Sequence, residues 1–187
     1  MPRRDQLFET ITTEGALLPS DFLQRLAQRD PDIKGLTPDD YHLGGGEKIN
    51  EAISRSWNRV LGVWKSFSAA AQALPASDLG TTLTRDKWLR PVFQELGYGW
   101  LATAKPYEFD DRKYAISHGW QATPIHLVSF RADLDERSEA IVGARRSTPH
   151  SMVQEFLNRS DAHLWAIVSN GYRLRLLRDN SSLIRQA

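Results

Sequence analysis

With 187 residues, 41% of them hydrophobic and 25% charged, the chain is long enough for one domain with a real core; its lack of cysteine excludes disulfides and thiolate chemistry and fits a cytoplasmic protein. No apolar run approaches the roughly 18–20 residues of a membrane span and no signal-like segment opens the sequence, so no membrane association is expected. The net charge of +1 hides a split: residues 1–144 carry 17 Lys/Arg against 20 Asp/Glu, a net of −3, and residues 145–187 carry seven arginines against Glu155, Asp161 and Asp179, a net of +4, a balance that admits an anionic partner.

Residues 1–45 are polar and broken up. A short helix is predicted from Ser20 as N-cap through Phe22, Leu23 and Leu26, followed by an irregular connector containing Pro31, Pro38 and Gly44–Gly46. The strongest helix spans 47–74: Ile49, Ile53, Trp57, Leu61, Trp64, Phe67, Ala71 and Leu74 recur at spacings of three and four until Pro75 ends the pattern. Lys48, Arg55 and Arg59 fall away from that stripe and read as a solvated face before they read as a nucleic-acid contact. A second helix is predicted over 84–97, with Thr84 as cap and Gly97 as stop. Pro91 lacks an N–H and opposes helical geometry at Arg90, which predicts a kink or break there.

Strand-like material follows. Leu101–Phe109 and Lys113–Ser117 flank Asp110-Asp111, and Pro124–Phe130 sets Ile125 and Leu127 against His126, Val128 and Phe130 on the other side. Thr148 and Pro149 open a helix that buries Met152, Val153, Phe156 and Leu157. Residues 163–180, HLWAIVSNGYRLRLLRDN, read as a hairpin turning at Asn170-Gly171, both of which tolerate positive φ, and Leu183-Ile184 begin a further strand. The order predicts an α+β fold with an α/β core: long N-terminal helices packed on a small mixed sheet with one crossover helix. Residues 1–45 form an arm, and the helical part 46–98 joins 99–187 in one domain.

Few motifs carry chemistry. GGGEK at 44–48 lacks the rest of a phosphate loop and the strand that precedes one. Asp110, Asp111, His118, His126, Asp133 and Asp135 match no zinc or calcium template, so no metal site is expected from their spacing. Neither Ser117-His118 nor His150-Ser151 has a third member for a nucleophilic triad. Trp57, Trp64, Trp88 and Trp165 sit in apolar patterns and read as core, whereas Trp100 and Trp120 lie in loop-like contexts and stay open. In the hairpin, Arg173 and Arg175 alternate with Leu174 and Leu176, and Leu177 breaks the alternation before Arg178. An edge strand protected by arginines and a phosphate-contacting surface helped by Arg145 and Arg146 stand side by side as readings.

The segment MVQEFLNRSDAHLWAIVSNGYRLRLLRDN, with LTPDDYHLGGGEKINEAISRSWNRVLG and WLRPVFQELGYG, resembles the N-terminal region of fused bacterial restriction-modification methylases. These are adenine-specific DNA methyltransferases, including those of the DISARM and BREX phage-defence systems, and the likeness covers most of residues 19–187. It implies a fold similar to PD-(D/E)XK nucleases, with an acidic residue on a helix, an aspartate on a hairpin and Glu-X-Lys on the next strand. Glu95 stands suitably in the helix. His126 and Val128 occupy the Glu-X-Lys strand, and neither replaces a carboxylate and a lysine. Metal-dependent phosphodiester cleavage needs clustered carboxylates, so the resemblance implies a degenerate, noncatalytic module. Such a module binds DNA through Arg145, Arg146, Asn170, Arg173, Arg175 and Arg178, or docks onto other subunits of a defence complex.

No cofactor is expected in these residues. The methyltransferase parts that hold S-adenosylmethionine and the flipped adenine belong to the parent protein, of which the chain is expected to be a fragment or split subunit. Two alternatives stay open. One is an active Mg²⁺-dependent DNA endonuclease with an acidic cluster drawn from Glu95, Glu108, Asp110, Asp133 and Asp135; the other is a helical scaffold built on residues 47–74.

Overall fold

The computed structural model describes residues 10–12, 17–109, 112–138 and 147–179. Asp110, Arg145, Arg146 and the strand expected at Leu183-Ile184 lie outside the described residues. The chain divides into two units, 1–56 and 57–187, and the division falls within the long helix α2 (Ile49–Ala73). In the first unit, α1 (Ser20–Ala27) buries none of its residues, and Arg25 holds Asp30 at 2.6 Å just beyond its end. A single 3₁₀ turn, Pro38–Tyr41, is closed by a capping box between Thr37 and Asp40. Local hydrogen bonds of this kind satisfy the backbone without a core.

The second unit is built on a five-stranded mixed sheet. Its strands are β1 (Ala102–Thr103), β4 (His118–Trp120), β5 (Thr123–Leu127), β6 (Trp165–Ser169) and β7 (Leu174–Arg178), in the order β1-β4-β5-β6-β7. All neighbours are antiparallel except β5 and β6, which run parallel with Ile125 level with Ile167 and His126 level with Val168. A parallel pair needs a crossover, and α5 (Pro149–Arg159) lies within it. The side chain of Thr148 accepts from the Ser151 N–H at 3.0 Å and starts α5 where the sequence predicts. A separate hairpin joins β2 (Tyr107–Phe109) to β3 (Arg112–Tyr114). Helices packed on a mixed sheet are the α+β architecture expected. No helix among the described residues is long and apolar enough to cross a membrane.

Alternation along β5 and β6 creates two cores. On one face Val128, Ala166, Val168 and Leu177 pack with Phe156 and Leu157 of α5 and with Tyr114 and Ile116. On the other, Ile125, Leu127 and Ile167 pack with Leu89, Phe93 and Leu101.

Several elements differ from expectation. The strand read over Leu101–Phe109 is two short strands in different sheets, because Pro106 has no N–H to extend a ladder. The strand read over Lys113–Ser117 ends at Tyr114, and the next one begins at His118. The β4–β5 turn escapes sequence reading because Gln121, not glycine, takes the left-handed conformation (φ 50°). Thr84 is no cap. The helix starts at Gly80 (φ 70°), where an added Cβ would sit 2.5 Å from Phe130 Cε1, and the buried Thr84 hydroxyl donates to the Gly80 carbonyl at 2.7 Å.

Past Pro75, Arg131 reaches the end of α2 and donates to the carbonyls of Leu74, Ala76 and Asp78 at 2.8–3.0 Å. The apolar stripe of α2 is covered from Trp64 onward. Trp64 and Phe67 pack on Trp88, and Phe67 also meets Phe130. Trp57, expected in the core, is 60% exposed, and Leu61 is exposed as well.

Candidate nucleic-acid interface

One helix carries the site, and a local irregularity sets it up. α3 (Thr81–Thr84) passes through a π turn at Arg85–Leu89 into α4 (Arg90–Glu95). Pro91 has no N–H to return to the preceding turn, and the expected kink takes the form of this π turn, with the Arg90 N–H reaching the Arg85 carbonyl. In an α-helix, residues five apart point about 140° away from each other. The i→i+5 spacing of a π turn instead brings Arg85 and Arg90 toward the same side, close enough for each charge to be felt by the other. Leu89, on the inner side of the turn, anchors the segment against Ile125, Leu127 and Ile167.

Both guanidiniums are held against the sheet. Arg85 donates through Nε to the Leu127 carbonyl at 2.8 Å and pairs with no carboxylate among the described residues. Arg90 donates to Asp86 at 2.7 Å, and its Nη2 lies 3.5 Å from His118 Nε2. An arginine can only donate, so His118 accepts at Nε2 and carries its proton on Nδ1, which donates to Ser117 Oγ at 2.8 Å. That oxygen also accepts from the Leu127 N–H at 2.8 Å. This tautomer is assigned from the network. Burial, then Arg85 and Arg90, push the His118 pKa down to about 4, and burial lowers that of Arg85, with Arg90 adding to it. Arg90 therefore holds the one carboxylate, Asp86, and Arg85 stands without one among the described residues, near a neutral imidazole. The unbalanced charge is half buried, and its forked donors suit phosphate oxygens. They repel a divalent cation.

His126 does not belong to this cluster. Lying between Ile125 and Leu127 and level with Val168, it faces α5. Both ring nitrogens are buried without a partner among the described residues, and burial, with Arg85 and His118 adding to it, drives its pKa to about 3. It is a neutral imidazole in an apolar core.

The hairpin arginines have separate fates. Asn170 is spent on the turn: Oδ1 accepts from the Tyr172 and Arg173 N–H groups, and Nδ2 donates to the Ala132 carbonyl. Gly171 alone has positive φ (90°), and the connection is the four residues 170–173 rather than a two-residue Asn-Gly turn. Arg175 forks onto Asp135 at 2.5 and 2.6 Å and also meets His150. Arg178 lies on the opposite face over the Trp165 ring, 5.5 Å from its centroid. Arg173 is exposed, and its side chain makes no hydrogen bond or ion pair among the described residues.

Among the described residues, the acidic candidates Glu95, Glu108, Asp133 and Asp135 are engaged separately. Glu95 pairs with Arg59, Glu108 with Lys113 on the small hairpin and Asp135 with Arg175. Asp133 accepts from the Asp135 N–H at 2.7 Å. Among the described residues no group of three or more His, Asp or Glu is placed to hold a metal ion. Sequence reasoning overlooked Arg85 and Arg90, and the signal was Pro91, read for its kink but not for the helical register it changes.

Comparison of the chain with protein-family models, curated proteins and solved structures finds no match in any of the three.

Proposed function

We propose that the chain is a noncatalytic, nuclease-like DNA-binding module of a restriction-modification or phage-defence methylase, and that it grips the phosphate backbone. One observation carries this reading: Arg85, bound to the Leu127 carbonyl, and Arg90, beside His118, border the sheet face that packs on Leu89 and Phe93, and among the described residues Asp86, held by Arg90, is the one carboxylate paired with either. A cleaving site of the implied family needs carboxylates around a metal, and this site offers cations and an imidazole instead. On the hairpin, the exposed Arg173 stands near Asp135, which Arg175 engages. S-adenosylmethionine, in this reading, is bound by the parent methyltransferase.

Phosphate contacts supply affinity without reading sequence and release counterions, so binding should weaken steeply between about 50 and 200 mM salt. The test is the affinity of a labelled duplex over that range, measured by fluorescence anisotropy. Arg85→Ala and Arg90→Ala should each weaken binding on every sequence and shallow the salt slope by about one. Unchanged affinity in both variants, or no duplex binding at low salt, overturns the reading.

Docking onto another subunit is the second reading, favoured by the exposure of Trp57 and Leu61 on α2. Large apolar side chains left in solvent on one helix face mark interaction surfaces. If this reading holds, Trp57→Glu should abolish co-purification with the partner subunit and leave duplex binding intact.

A further inference from the structure

The loop after α4 is built to display one side chain. Gly97 (φ 88°) closes the helix in a Schellman motif: its N–H reaches the Gln94 carbonyl at 3.1 Å, and the Tyr98 N–H reaches Phe93 at 3.0 Å. The Tyr98 ring folds back on Phe93, with centroids 5.2 Å apart, and meets Trp120 at 5.0 Å. Gly99 (φ 65°) then redirects the chain, and Leu101 enters the core at 1% exposure. Trp100, caught between the second glycine and that anchor, is 74% exposed. Burying an indole is among the larger gains open to a single residue, and here the fold on both sides of it is ordered and the ring is still left out. Nor is it left loose. The Arg90 guanidinium lies 4.9 Å from the ring centroid, and Arg90 is itself fixed by Asp86 and His118.

An exposed aromatic face held beside a fixed cation is the pair of groups that single-stranded nucleic acid needs, one to stack a base and one to meet the adjoining phosphate. A continuous duplex offers it nothing, because paired bases present only their edges. We infer that Trp100 is a stacking platform for an unpaired base, so that the Arg85–Arg90 site takes single-stranded DNA or a frayed end in preference to an intact duplex. This inference rests on the DNA-binding reading above and narrows its ligand.

The test compares a fluorescein-labelled single strand of about 12 nucleotides, long enough for one binding site, with the duplex of the same sequence. The single strand should bind more tightly. Trp100→Ala should weaken single-strand binding about tenfold or more, Trp100→Phe should retain most of it, and neither should move duplex affinity more than about twofold. A strand with abasic sites keeps its phosphates and should bind the wild type as weakly as the intact strand binds Trp100→Ala, with no further loss in the variant. Tighter binding of the duplex, equal losses on both ligands, or a single-strand affinity indifferent to Trp100 and to abasic sites would each overturn the inference and leave the phosphate reading standing. Failure to bind either ligand removes both.

Discussion

The two faces of the β-sheet solve the same packing problem with different residues. The α5 face is an aromatic core in which Phe156 meets Tyr107, Phe109 and Tyr114, and its outer polar groups are matched, as where Arg112 and Tyr114 both reach Glu155. The opposite face buries a narrower ridge, Leu89, Phe93, Ile125, Leu127 and Ile167, and borders it with Arg85, Arg90 and His118. Both faces set arginines in excess at their margins, but on the first Arg112 and Arg159 both reach a carboxylate, Glu155, whereas on the second Arg85 holds a backbone carbonyl and Arg90 alone has the carboxylate. A histidine on each face makes the contrast sharp. His118 has a partner for each nitrogen, and His126 has none among the described residues.

That contrast can be broken in order of effect. Phe156→Ala should cost about 3–5 kcal/mol, the range for emptying a fully buried aromatic site, read as a lowered urea midpoint; a loss below about 1 kcal/mol would show that the α5 face is not the main core. Gly171→Ala should cost about 2 kcal/mol. Position 171 has φ 90°, and a Cβ there would lie 2.9 Å from Trp88 Cδ1; the Trp88 indole donates to the Gly171 carbonyl at 2.7 Å, so the strained hairpin would loosen from the helix. Thermal melting checks it, and an unchanged melting temperature would mean that the turn yields freely.

His126→Leu should stabilise the fold by about 1 kcal/mol at pH 7, because an unsatisfied buried polar group disappears. The pH dependence has a definite sign. The folded pKa of about 3 lies below the unfolded value near 6.5, so the unfolded chain binds the extra proton. Stability is complete above about pH 6.5 and falls as the pH drops toward 3, by up to about 1.4 kcal/mol per unit. His118 acts in the same sense between about 6.5 and its own value near 4. Urea midpoints at pH 7 and 5 should therefore differ less in His126→Leu than in the wild type; an equal difference would place the titration elsewhere. The smallest effect is expected for Asp135→Asn. Its pair with Arg175 is surface-exposed on the carboxylate side, so stability should change by less than about 1 kcal/mol. Arg175 keeps its contact with His150, and a larger loss on thermal melting would show that the ion pair anchors this end of the hairpin.

What could be read from the chain and what could not divide along physical lines. The helix at 149–159 was legible because cap, proline and apolar spacing agree, and β6 and β7 because Trp165–Ser169 and Leu174–Arg178 bracket the Asn-Gly turn. β4 was hidden: His118, Gly119 and Trp120 have no alternating pattern, and their turn relies on Gln121 adopting a conformation its side chain does not favour. The arginines of the hairpin were visible as charge, but charge alone does not reveal a neighbour such as Asp135, forty residues away in sequence. Arg85 and Arg90 were obscured for the opposite reason. On an ideal α-helix they diverge, and only the π turn before Pro91 brings them together. Trp100 was noticed, and its exposure became interpretable once the glycines around it and the cation beneath it were placed.

The grip of Arg131 on the end of α2 also bears on the order in which the protein opens. A helix end ordinarily frays on its own, but here the stretch just past it is held at the carbonyls of Leu74, Ala76 and Asp78 by a side chain 53 to 57 positions further along, in the segment that leaves β5. The closing contact is therefore non-local and lasts only while the segment after β5 stays in place. Amide protons in the final turn of α2 should consequently exchange at the pace of sheet opening rather than at the faster pace of a free terminus, making that turn a reporter of the sheet's integrity.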